Sequence, residues 1–134
     1  MNILVIDSQG GGMGRQLVSA VKERLPHAYV TAVGTNSTAT AAMLRAGADV
    51  AATGENAVIV GCRRADVIVG PIGIVIADSL YGEVTPAMAV AVGQSRARRI
   101  LIPVNHCENI VAGVAEQSLG SLIESALTHM KGLE

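Results

Sequence analysis

Tryptophan and phenylalanine are absent from this chain of 134 residues, and its aromatic rings are those of Tyr29 and Tyr81. A flavin ring, a base or a single-stranded nucleic acid is commonly held by stacking on such rings, so flavodoxin-type and nucleic-acid-binding functions lose their usual platform. A surplus of one charge is missing too. Ten Lys and Arg stand against eleven Asp and Glu, a formal net charge of -1, which gives no long-range pull on nucleic acid or an anionic membrane. No apolar run approaches the roughly 18 to 20 residues that a membrane span needs. The chain opens on strand-like residues, without a basic segment and cleavage site, so a cytoplasmic protein with no membrane partner is expected. Cysteine is scarce: Cys62 and Cys107 lie too far apart for a CxxC site. Free thiols and no metal site are expected from that spacing.

What is present is hydrophobic patterning. Half of the residues are apolar, enough for a packed core, and the length fits one domain covering residues 1–134. Asn2 to Asp7 reads as a buried strand, and Met13, Leu17, Val18, Val21 and Leu25 keep helical spacing until Pro26. Tyr29 to Gly34 is a second strand, followed by a helix that Asn36 or Ser37 can cap and Gly47 ends. Asp49 to Thr53, Asp66 to Gly70 and Ile100 to Val104 read as three further strands, with a helix over Glu55 to Arg64 between the first two. Thr85-Pro86 starts another helix, and Arg96, Arg98 and Arg99 are expected in its last turn, where cations complement the helix dipole. Leu119, Leu122, Ile123, Ala126, Leu127 and Met130 mark the apolar stripe of a terminal helix. Strands alternating with helices imply a parallel sheet covered on both faces. The expected fold is α/β, a doubly wound, Rossmann-like three-layer sandwich of about five strands in the order 3-2-1-4-5.

That order puts the turn after the first strand at the switch point where such sheets bind ligands. The turn is Ser8-Gln9-Gly10-Gly11-Gly12-Met13-Gly14-Arg15, with four glycines in five positions. It leaves backbone N–H groups uncovered in front of a helix N-terminus, which suits a nucleotide phosphate. The dinucleotide pattern G-x-G-x-x-G fits in two imperfect ways. Ending it at Gly14 puts Gln9 at the first glycine, and starting it at Gly10 puts Arg15 at the third. The run also resembles the P-loop of deviant Walker ATPases, but Arg15 and Gln16 replace the Lys and the Ser/Thr, which argues against ATP hydrolysis. Where an NAD site usually carries an acid on the second strand, this chain has Thr35-Asn36-Ser37. These residues can serve a ribose or a 2′-phosphate, with Arg15 countering its charge, or Asn36 and Ser37 can simply cap the helix. Gly10, Gly11, Gly12, Met13, Gly14, Arg15, Thr35, Asn36, Ser37, Gly70 and Pro71 are the candidate cofactor contacts, with NAD or NADP as the candidate cofactor.

Acid-base candidates are those that follow a strand's C-terminal end: Asp78, Glu83 and His106, with Glu55 and Asn105 beside them. The segment from Ile72 to Leu80 is too apolar for a solvated loop; a homo-oligomer contact through it is expected, with an apolar wall over the ligand or a buried short helix as the alternatives.

The stretches Ile3 to Arg15, Thr31 to Ser37, Thr53 to Val60 and Gly70 to Ala89 resemble a bacterial family of short uncharacterised proteins, domain of unknown function 3842. The resemblance implies a Rossmann-like domain and assigns no catalytic residue. The Gly-Gly-Met-Gly-Arg run is also similar to the cofactor turn of prephenate-dehydrogenase-type proteins, whose helical substrate domain has no counterpart here. The function expected is a small sensor or regulatory module that binds a nucleotide-type molecule. The alternatives are a minimal NAD(P)-dependent oxidoreductase completed by a second subunit, with the loop from Pro71 to Glu83 supplying the acid or base, and a partner subunit that binds no ligand.

Overall fold

The structure is a computed structural model that describes residues 1–104 and 109–134. The candidates Asn105 and His106, and Cys107, lie outside the described residues. In chain order the elements are β1 (Asn2–Asp7), α1 (Gly12–Arg24), β2 (Tyr29–Gly34), α2 (Ser37–Arg45), β3 (Val50–Thr53) and α3 (Glu55–Arg64). They continue with β4 (Val67–Pro71), a 3-10 turn (Ile72–Val75), α4 (Pro86–Gln94), β5 (Arg98–Ile102) and α5 (Leu119–Lys131). Among the described residues the sheet has five parallel strands in the order β3-β2-β1-β4-β5, as the patterning predicts.

β1 is the central strand, and its run Ile3-Leu4-Val5-Ile6 is buried on both faces, which explains an unbroken apolar stretch where an amphipathic strand would alternate. Ile3 and Val5 enter one core with Leu17, Val18 and Val21 of α1 and Ile123 and Leu127 of α5. Leu4 and Ile6 enter the other with Val58 and Cys62 of α3 and Met88 and Val92 of α4. Helices α2 and α4 are capped by side chains: the Ala39 N–H donates to Asn36 Oδ1 (2.9 Å) and the Met88 N–H to Thr85 Oγ1 (3.1 Å). Helix α1 begins without a side-chain cap, on a left-handed Gly11.

Two expectations shift. Helix α4 ends at Gln94, so Arg96, Arg98 and Arg99 are not in its last turn, and Arg98 and Arg99 open β5, paired with Val67 and Ile68. Ser95 causes this. Its backbone is extended, its hydroxyl donates to the Cys62 carbonyl (2.8 Å), and the same oxygen accepts the Ala97 N–H (3.1 Å), giving the chain a local alternative to another helical turn. The segment 72–80 is covered largely by its own chain: Ile74 and Leu80 are buried in the α3/α4 core, and Ile72, Val75 and Ile76 are half-buried. Among the described residues no helix is long and apolar enough to cross a membrane.

Candidate functional site

The four glycines of the turn do two different jobs. Gly11 has φ +73°, and a Cβ there would stand 2.8 Å from the Ala39 Cα and 2.9 Å from its carbonyl oxygen, so this position admits α2 against the turn. A Cβ at Gly14 would stand 2.6 Å from Met43 Sδ and 2.8 Å from Asp7 Cβ, the close helix-to-strand packing expected of a third glycine. The structural register of the motif is therefore the one ending at Gly14, and Gln9, where a glycine is usual, takes the left-handed conformation with φ 52°. A Cβ at Gly10 or Gly12 would meet nothing within 4 Å. Neither glycine is required by the packing of the chain, and both keep the approach to the backbone open.

Asp7, at the carboxyl end of β1, fastens this turn. Its Oδ1 accepts the Ser8 N–H (2.8 Å) and its Oδ2 the Gly14 N–H (2.7 Å). The Gly11 N–H donates to the Ser8 carbonyl (3.0 Å) and the Arg15 N–H to the Gly11 carbonyl (2.9 Å). The N–H groups of Gly10, Gly12 and Met13 have no acceptor among the described residues. Those of Gly12 and Met13 are uncapped first-turn donors and carry the positive end of the helix dipole. Among the described residues the buried polar side chains are those of Asp7 and Ser8, and the Ser8 hydroxyl, in a residue 4% exposed, has no hydrogen-bond partner. Burial pushes the Asp7 carboxyl above its ordinary value, against the lowering by its two N–H donors, and nearby Glu83 adds to the rise.

Asp7, Ser8 and the turn from Gln9 to Met13 line a cavity of about 380 Å³, completed by Gln16, Pro71, Leu80, Val104 and Leu119. It lies over the β1/β4 side of the sheet, with the N-terminal residues of both α1 and α5 at its wall.

The β2 side is built differently. Glu83 reaches across the carboxyl end of β1 from the loop between β4 and α4, and its Oε1 accepts three hydrogen bonds: from the Gln9 N–H (2.9 Å), Thr35 Oγ1 (2.7 Å) and Asn36 Nδ2 (2.7 Å). Asn36 Nδ2 also donates to the Gln9 carbonyl (2.9 Å). The loop that delivers Glu83 carries left-handed Asp78, Leu80 and Tyr81 beside Gly82, a costly backbone held by the Asp78 N–H to Val84 carbonyl bond (2.8 Å) and by burial of Leu80. Burial raises the Glu83 pKa, but the three donors outweigh it and hold the carboxyl below the ordinary glutamate value. The ionised form thus stabilises the fold, a contribution present above the unfolded glutamate pKa of about 4.3 and lost as pH falls through the lower folded value. Urea denaturation of the wild type and Glu83→Gln is expected to show a wild-type advantage near neutral pH that narrows on acidification through the carboxylate range; a gap that widens there contradicts this role.

The remaining candidates are scattered. Asp78 and Ser37 are exposed, and neither lines the cavity. The exposed Arg15 lines a polar groove between α1, α2 and α5 instead. Gly70 packs against the Ile6 carbonyl, where a Cβ would stand 2.4 Å from the oxygen. Glu55 begins α3 and accepts a hydrogen bond from Thr85 Oγ1 (2.6 Å). Sequence reasoning missed Asp7 and Ser8 as members of the site. A polar pair closing an apolar strand just before the glycines was the signal available.

Comparison with curated proteins gives no match. Among solved structures, the chain is similar to a dodecameric FMN-dependent UbiX-like decarboxylase from Escherichia coli O157:H7, at 18% identity and a TM-score of 0.46, over 98% of this chain and 76% of that one. A likeness at that level carries nothing about ligand or assembly. The family model described as domain of unknown function 3842 matches residues 2–133, nearly the whole chain, and the protein belongs to that family.

Proposed function

We propose that the chain binds a nucleotide-type molecule by its phosphate at the turn between β1 and α1, and works as a small sensor or regulatory module with residues 1–134 forming one domain. The observation that carries this reading is the buried Ser8 hydroxyl, which has no partner among the described residues and belongs to a cavity wall shared with Gly10, Gly12 and Met13, whose N–H groups have no acceptor among those residues. Buried polar atoms are nearly always satisfied, by protein, water or ligand, and an orphan in a cavity wall is a place where a ligand atom can supply the partner. A phosphate oxygen answers it together with the N–H donors and the helix dipole. A regulatory role is favoured over proton-transfer chemistry because, among the described residues, the carboxyl lining the cavity is that of Asp7, and backbone N–H groups hold both of its oxygens. Ile72, Val75 and Ile76, half-buried on the chain itself, are the side chains on which a second copy would pack.

Thermal unfolding in the presence of NAD, NADH, NADP, NADPH, AMP, ATP and FMN, each in turn, tests the reading. At least one is expected to raise the midpoint of the wild type and to leave Gly12→Val unmoved. A panel without any shift overturns the proposal and leaves a partner subunit as the better account.

A further inference from the structure

We infer that the ligand is a phosphomonoester and not a dinucleotide, its terminal phosphate on residues 10–13 and its organic part directed toward β4 and β5. The inference rests on the phosphate reading above and narrows it. Three features of the chain carry it.

The first is the direction of the cavity. Its wall runs from the glycine turn to Pro71 at the end of β4, Val104 after β5 and Leu119 at the start of α5, and it includes no residue of β2 or of positions 35–37. A dinucleotide laid on this fold spans the other way as well, with its adenosine ribose at the end of the second strand. The second is that this other half is closed. Thr35 Oγ1 and Asn36 Nδ2, the donors a ribose would use, are both given to Glu83 Oε1, and Gln9 is tied into the same cluster through its N–H and its carbonyl. A ribose entering there would have to break a set of four hydrogen bonds that links the β1–α1 turn, the end of β2 and the β4–α4 loop.

The third is the set of donors at the glycine end, which gives the phosphate its partners. Among the described residues, three N–H groups without an acceptor and one orphan hydroxyl belong to residues that line the glycine end of the cavity. A terminal phosphate presents three acceptor oxygens to them. Among the described residues no Lys or Arg lines that wall and the Asp7 carboxyl does, its oxygens held by the Ser8 and Gly14 N–H groups, so the positive end facing the phosphate is the N-terminal dipole of the 13-residue helix α1, with the start of α5 beside it. A volume of about 380 Å³ stands near the lower end of the roughly 300–1,000 Å³ typical of small-molecule sites.

Isothermal titration of the wild type and Ser8→Ala with AMP, ribose 5-phosphate, inorganic phosphate and NAD tests the inference. NADP is left out because its 2′-phosphate is itself a monoester. The expected result is AMP or ribose 5-phosphate binding at least about tenfold more tightly than NAD, a gap of about 1.4 kcal/mol, with the affinity reduced in Ser8→Ala. Ser8→Ala removes a hydroxyl that has no partner among the described residues, so it is expected to keep the fold, which its urea midpoint checks. AMP ahead of ribose 5-phosphate assigns a mononucleotide, and equal affinities assign a sugar phosphate; both support the inference. NAD binding as tightly as AMP, in a Ser8-dependent manner, overturns the monoester and leaves the phosphate site standing. Monoester binding indifferent to Ser8→Ala overturns the placement, and no binding by any of the four overturns the phosphate reading as well.

Discussion

Gly11→Val is expected to destabilise the protein by about 2–5 kcal/mol, combining a left-handed backbone forced on a β-branched residue with overpacking. Its φ of +73° excludes the relaxed backbone of an L residue, and the new Cβ would press on the backbone of Ala39, which sits in a helix and cannot swing aside. Against a total stability of roughly 5–15 kcal/mol for a domain of ordinary size, that loss is large enough to leave much of the chain unfolded on warming. Gly12→Val, one residue along, is expected to stay within about 1 kcal/mol of the wild type, since its Cβ enters open space at the first position of α1. Urea denaturation of the two variants side by side checks the contrast. Equal losses would mean that both glycines serve packing and that neither keeps a path open for a ligand.

The second large effect is ligand-linked. A molecule that binds only the folded chain and is supplied at 100 times its Kd is expected to stabilise it by about 2.7 kcal/mol. In a domain of this size that is a shift in Tm of roughly 10 °C or more, easily read by thermal unfolding. The same addition to Gly12→Val is expected to give no shift, because Gly12 lines the cavity and a side chain added there takes up open space at its wall. The pair of results separates a lost site from a lost fold. A Gly12→Val protein that is folded and still stabilised places the ligand elsewhere.

Much of the architecture was legible because it is local. The apolar run of β1, the glycines behind it, Asn36 before α2 and Thr85-Pro86 before α4 each state their element within a few residues, and parallel alternation then leaves few strand orders. The start of β5 was misplaced by two residues because Ser95 ends α4 through a hydrogen bond to Cys62, which lies 33 residues earlier. The choice between the two glycine registers was also tertiary. It depends on Met43 and Ala39 approaching from α2, contacts that no local pattern reveals. The cluster around Glu83 is the strongest case: its carboxylate meets Gln9 across 74 positions and Asn36 across 47, so Thr35 and Asn36 read as available donors in the sequence and are engaged in the fold. Asp7 was visible as the end of a strand, but that both its oxygens hold the turn follows only once Gly14 folds back upon it.

The proposed phosphate cradle consists of the backbone N–H groups of Gly10, Gly12 and Met13 with the Ser8 hydroxyl. Titration of the ¹⁵N-labelled protein with AMP, followed by amide chemical shifts, addresses those groups one by one. The account predicts saturable shifts largest at Gly10, Gly12 and Met13, with the amide of Gly14, already bonded to Asp7, moving less. Shifts confined to other parts of the chain, or none at concentrations that saturate the thermal response, would contradict it.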